Sequence, residues 1–133
     1  MTLFFQRGTI DADHLDLVLR TLPLDLSFAD EDDALRYWSG PTYRTCDPHY
    51  IGRDIRDCHP EATLETLEEI LRAFKDGTRD VAEGWHDDGK GRFTYTRYAA
   101  VRDDDGVYRG ILEVNQDLSR ARGLEGARDL PGW

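Results

Sequence analysis

Cys58 and His59 form the only adjacent cysteine–histidine pair in this 133-residue chain. Imidazole suits iron, and a thiolate suits zinc or iron. Two neighbours on a chain do not easily reach one axial position together, so His59 alone is the haem candidate. Cys46 and His49 stand a little earlier, and with Cys58 and His59 they would make a four-ligand set. Structural zinc sites favour tighter spacing, and no CxxC pair is present, so no metal is assigned. The competing reading makes His59 a capping or hydrogen-bonding core residue and Cys58 a small buried hydrophobe. Tyr37, Tyr43, Tyr50, Tyr95 and Tyr98 offer hydroxyls that would orient a polar ligand, and Trp38 and Trp85 offer indole N–H groups. The same residues also suit ordinary positions in a sheet. Arg53 and Arg97 each need an acidic or anionic partner if buried, and Glu113 is the protein partner expected for Arg97. Four histidines, His14, His49, His59 and His86, stand among many carboxylates, but no spacing selects an acid–base pair. No enzymatic activity is therefore expected.

These groups need elements to hold them. Pro60 and Glu61 suit a helix start, and Leu64, Leu67, Leu71 and Phe74 then recur at three- and four-residue spacing. Gly77 is placed to close this helix in the left-handed conformation. Upstream, Asp11 is expected to cap a short helix over Ala12–Leu22, with Leu15, Val18, Leu19 and Leu22 on one face and Pro23 as its stop. That face is the expected dimer interface. From Leu24 the period changes to two, and a hairpin is expected through the acidic turn Asp30–Asp33 to a returning strand over Ala34–Ser39. Arg79–Trp85, Arg92–Val101 and Val107–Asn115 read as three consecutive antiparallel strands. On the middle one neither side is purely apolar. Leu118–Leu130 carries a weak stripe and is expected to form a charged helix. The Leu3-Phe4-Phe5 patch reads as a frayed end or as the cover of a partner.

Seventeen basic against 27 acidic residues leave a net charge of -10. Such a surface repels phosphate backbones and anionic membranes, so neither nucleic acid nor membrane is an expected partner. Two cysteines do not make a disulfide scaffold, and no signal peptide or spanning segment is evident. A cytoplasmic location is the resulting expectation.

Several pieces together resemble a PAS sensory domain. They are Leu22-Pro23-Leu24-Asp25, Gly52-Arg53 with Cys58-His59-Pro60, and the closing strand Gly110–Asp117. The combination is most similar to the PAS module of hemerythrin-associated, DUF438-type bacterial proteins, and the likeness runs from about Leu15 to Arg122. It implies an α+β fold: a five-stranded antiparallel sheet ordered 2-1-5-4-3, with helices over one face and flanking terminal helices. The Gly52–Lys75 region would wall an internal cavity. Residues 1–23 are then an N-terminal helical extension, 24–117 the sensor domain and 118–133 a C-terminal helix or tail. The implied function is small-molecule sensing, with the signal passed by contact with another chain because no effector segment accompanies the domain. The expected pocket residues are His59, Cys58, Tyr37, Tyr50, Arg53, Leu67, Tyr95 and Arg97. Haem through His59 is one form of the cofactor expectation. The Asn-Cys-Arg-Phe-Leu run of flavin photosensors is absent. A ligand-free homodimerisation domain with a filled core is the alternative.

Overall fold

The computed structural model describes residues 1–40 and 48–131. The chain opens with a β-hairpin, β1 (Thr2–Phe5) and β2 (Gly8–Asp11), so the Leu3-Phe4-Phe5 patch is not a frayed end. Helix α1 (Ala12–Thr21) follows directly. Asp11 precedes it but does not cap it, because its carboxylate accepts the Thr2 hydroxyl at 2.8 Å. Strands β3 (Asp25–Asp30) and β4 (Leu35–Trp38) come next. Two 3-10 turns, Pro48–Tyr50 and Ile55–Cys58, lead into α2 (Glu61–Asp76). Gly77 ends α2 at φ 81°, in the left-handed region as expected. Strands β5 (Val81–Asp87), β6 (Phe93–Arg102) and β7 (Tyr108–Asp117) complete the sheet.

The five strands are antiparallel neighbours in the order β4-β3-β7-β6-β5. Numbered within the sheet, that is the expected 2-1-5-4-3. Register assigns every side chain to a face. Asp25, Ser27 and Ala29 on β3 stand opposite Asn115, Glu113 and Ile111 on β7. Those three in turn stand opposite Thr96, Tyr98 and Ala100 on β6. Ala29 and Ile111 are buried in one cluster with Leu67, Leu71 and Phe74 of α2, so this is the face that α2 covers. The apolar row Leu26 and Phe28 therefore lies on the opposite face. There Tyr37 stands opposite Phe28, and Asp16 and Arg20 of α1 act electrostatically on its hydroxyl. Burial raises the Tyr37 pKa above the ordinary phenol value.

The Gly52-Arg53 segment extends the sheet. Leu35 N–H donates to the Arg53 carbonyl and Gly52 N–H to that of Leu35, while Ala34 bridges Asp54. Asp33, buried and at φ 64°, then gathers two cations: Arg56 at 2.9 Å and Lys75 of α2 at 2.8 Å. Arg56 also grips Glu68 of α2 and holds its carboxyl below the usual range. One aspartate thus ties the β3–β4 turn, the second 3-10 turn and α2 together. Arg56 and Lys75 remain about a third exposed, so each tie contributes less than a fully buried pair would.

The C-terminal helix is much shorter than expected. Only Ser119–Arg122 is helical. Gly123 follows at once, Gly126 is left-handed, and Leu124 and Leu130 are exposed. Glycine weakens a helix, and here no apolar burial offsets that cost.

Candidate functional site

A cavity of about 30 Å³ lies between α2, the second 3-10 turn and the sheet. Since one water needs roughly 10–15 Å³, it has room for about two. Aliphatic groups of Ala29, Leu35, Ile55, Leu67 and Ile111 make its walls, and Ser27, His59, Tyr98 and Glu113 bring polar groups to it. The polar contributors follow from register: Ser27, Glu113 and Tyr98 are consecutive cross-strand neighbours on β3, β7 and β6.

The second 3-10 turn brings His59 and Cys58 to the rim. Asp54 caps that turn by accepting the Arg56 N–H at 2.9 Å. The Ile55 carbonyl then accepts two side chains, His59 Nδ1 at 2.7 Å and Cys58 Sγ at 3.2 Å. A carbonyl oxygen only accepts, so Nδ1 carries the proton of that bond. The other ring nitrogen lies 3.4 Å from the Tyr98 hydroxyl and 3.8 Å from Glu113 Oε1. Glu113 is itself buried, and its Oε2 accepts the Asn115 amide at 3.1 Å. Asn115 Oδ1 accepts the Thr96 hydroxyl at 2.6 Å. A continuous polar row thus crosses the sheet beneath the helix. Trp38 also lines the cavity, and its indole N–H is buried without an acceptor among the described residues.

Three of the eight pocket residues expected from sequence line this space: His59, Cys58 and Leu67. Tyr50 packs on the core cluster instead, its ring 4.1 Å from that of His49. Arg53 is exposed, lies over the Tyr50 ring and pairs with Asp57 at 3.4 Å. Tyr37, Tyr95 and Arg97 stand on the opposite face of the sheet. The expected Arg97–Glu113 pair is accordingly not formed: Arg97 is opposite Val114, and Glu113 opposite Tyr98. Tyr95 gives its hydroxyl to Glu83 on β5. The residues missed were Glu113, Ser27 and Asn115. Only the strand register, which sequence patterning left open, would have revealed them.

Haem does not fit this cavity. The Nδ1–H bond to the Ile55 carbonyl leaves Nε2 as the ligand atom, but Nε2 faces Tyr98 and Glu113 and the cavity takes about two waters. Cys46 and Tyr43 lie outside the described residues, and His49 is exposed. No group of three or more metal-binding side chains occurs among the described residues.

A five-stranded antiparallel sheet in this order, with one helix-covered face enclosing a polar-floored cavity, defines a class of domain. The chain belongs to the PAS domain family, whose sequence model matches residues 15–119. A C-terminal domain from Streptococcus mutans is 30% identical, with a TM-score of 0.85 over 94% of this chain and 98% of that one. The PAS domain of Bordetella pertussis BvgS is similar in fold at 15% identity, TM-score 0.58, over 79% of this chain and 84% of that one. A sensory box sensor histidine kinase from Vibrio cholerae superposes with a TM-score of 0.55 at 13% identity, over 78% and 88% of the two chains. No curated protein matches the chain. No helix among the described residues is long and apolar enough to cross a membrane.

Proposed function

We propose that this chain is a signalling sensor module that takes up a small molecule between α2 and the sheet and passes the signal on by contact with a partner protein. The observation that carries this is Trp38, whose buried N–H lacks an acceptor among the described residues, beside a cavity that already holds a buried carboxylate. Leaving a buried donor unsatisfied costs about 1–3 kcal/mol, which a bound water or ligand oxygen would recover. The polar row supplies both donors and acceptors for a polar ligand. The DUF438-type likeness adds a bacterial signalling setting to this reading.

Freshly purified protein is expected to release a small molecule detectable by mass spectrometry. Added back at about a hundredfold excess over Kd, that molecule should stabilise the stripped protein by about 2.7 kcal/mol. Glu113→Leu should abolish the gain. Protein that releases nothing, and a cavity that shows no ordered occupant in a crystal structure, would overturn the proposal.

One observation favours a second reading, the homodimer. Phe4 and Phe5 on the hairpin, Val18 on α1 and Leu22 just after it are all exposed, and α1 has no fully buried residue. A ten-residue helix and a lone hairpin are each marginal in water, and a second copy packed on Val18 and Leu22 would support both. Leu15 and Leu19 are half-buried on the same helix. In this reading the wild type sediments as a dimer and Val18→Glu as a monomer. A monomeric wild type at millimolar concentration eliminates it.

A further inference from the structure

The two edges of the sheet are treated differently. Beside β4 the Gly52-Arg53 segment closes the edge with backbone hydrogen bonds. At the other end β5 has no strand on its outer side among the described residues, and six of its seven residues are exposed. Soluble proteins guard an open edge with lysine, proline, a bulge or a very short strand. β5, written VAEGWHD, has none of these and runs in unbroken register with β6. Its two carboxylates are held by their own chain: Glu83 accepts the Tyr95 hydroxyl, and Asp87 accepts Arg122 at 3.0 Å. Val81 and Trp85 are exposed apolar residues on the same strand.

Gly84 is the midpoint of β5. Nothing within the chain calls for glycine there, since its backbone is not left-handed and a Cβ built on it meets no atom within 4 Å. Glycine weakens a strand, and inside one it marks a bulge, a bend or the close approach of another backbone. The unbroken register excludes the bulge.

We infer that β5 pairs antiparallel with β5 of a second copy, about a two-fold axis at Gly84, joining the two sheets into one. Directly opposite residues in an antiparallel pair share a face, and like charges placed opposite each other are unfavourable. About Gly84 all seven residues find partners. Glu83 of one copy faces Trp85 of the other, Ala82 faces His86, and Val81 faces Asp87. No carboxylate meets a carboxylate. An axis one residue earlier sets Glu83 against itself, and one residue later sets Glu83 against Asp87. Beyond the seven, Asp80 would meet Asp88, so the ladder ends with the strand. At the axis a residue faces its own copy, and glycine brings neither charge nor bulk to that point. This surface stands apart from the sensor reading and from the α1 dimer, because α1 lies near Tyr37 of β4, at the far edge.

The test is sedimentation equilibrium of the full chain up to millimolar concentration, since a single strand pair is a small interface. A dimer is expected, and Val18→Glu should leave it intact. Gly84→Asp and Gly84→Lys should each weaken it about fivefold or more, by setting like charges together at the axis. An equimolar mixture of the two variants should recover wild-type affinity, which a folding defect could not do. In the wild type, amide hydrogen exchange along β5 should slow as concentration rises. A monomeric wild type overturns the second copy as occupant and leaves the edge to a strand of another protein. A dimer that dissociates in Val18→Glu but not in either Gly84 variant overturns the inference and upholds the α1 interface. Failure of the mixture to recover affinity, or β5 exchange indifferent to concentration, overturns the axis at Gly84.

Discussion

Replacing Gly110 with alanine is expected to destabilise the domain by about 4 kcal/mol, the sum of a clash and a strained backbone. A Cβ at this position would lie 2.2 Å from the Ala29 carbonyl oxygen and 2.7 Å from the Phe28 ring. Neither can retreat cheaply. The carbonyl belongs to the central strand pair β3–β7, and Gly110 itself sits at φ +150°, where side chains are rarely accommodated. Thermal unfolding should show a midpoint lowered by roughly 15 °C. A loss of less than about 1 kcal/mol would mean that β3 and β7 separate freely at this end, contrary to the close approach described.

Phe74→Ala is the second large effect, about 3–5 kcal/mol. Phe74 is 1% exposed and packs where α2 meets the sheet, among Leu71, Leu67 and Ile111. Its removal forfeits the transfer energy of the ring and leaves a hole that the surrounding strands cannot fill. Urea unfolding should shift in midpoint with an unchanged slope. Phe74→Leu should cost only about 1.5 kcal/mol or less, since volume is largely kept. Equal costs for the two variants would show that ring packing is not what holds α2 in place.

The sheet and α2 were legible because their signals are local. Leu64, Leu67, Leu71 and Phe74 fix a helical face by spacing alone, and the turns at Gly89 and Gly106 bound the last three strands. The strand order came from resemblance, since no local pattern encodes which strands become neighbours. The site was only partly legible, for a physical reason. On β3 the apolar row Leu26 and Phe28 turns away from α2, while Asp25 and Ser27 face it, because the covered face has a polar floor to build. Hydrophobic alternation usually identifies the core side of a strand. Here it identifies the other side. The same ambiguity on β6 put Tyr95 and Arg97 on the expected list when Tyr98 and Thr96 were the residues under the helix. The C-terminal helix failed differently: its stripe was weak, and nothing in the fold rewards it.

The ties on α2 are unevenly distributed along its length. Toward its C-terminal end Lys75 reaches Asp33, the Phe74 carbonyl accepts Arg102 at 2.7 Å, and Leu71 and Phe74 are sealed in the core. Glu68 adds the grip of Arg56 at mid-helix. Before Leu67, which is also sealed in the core, Glu61, Ala62, Thr63 and Glu65 are exposed and Leu64 only half-buried. In mechanical terms α2 is a lever with its fulcrum at Phe74 and its first turn as the free arm beside the cavity. Pressure applied near Tyr98 would act on that arm, and the largest displacement would fall at Pro60 and Glu61, on the protein surface.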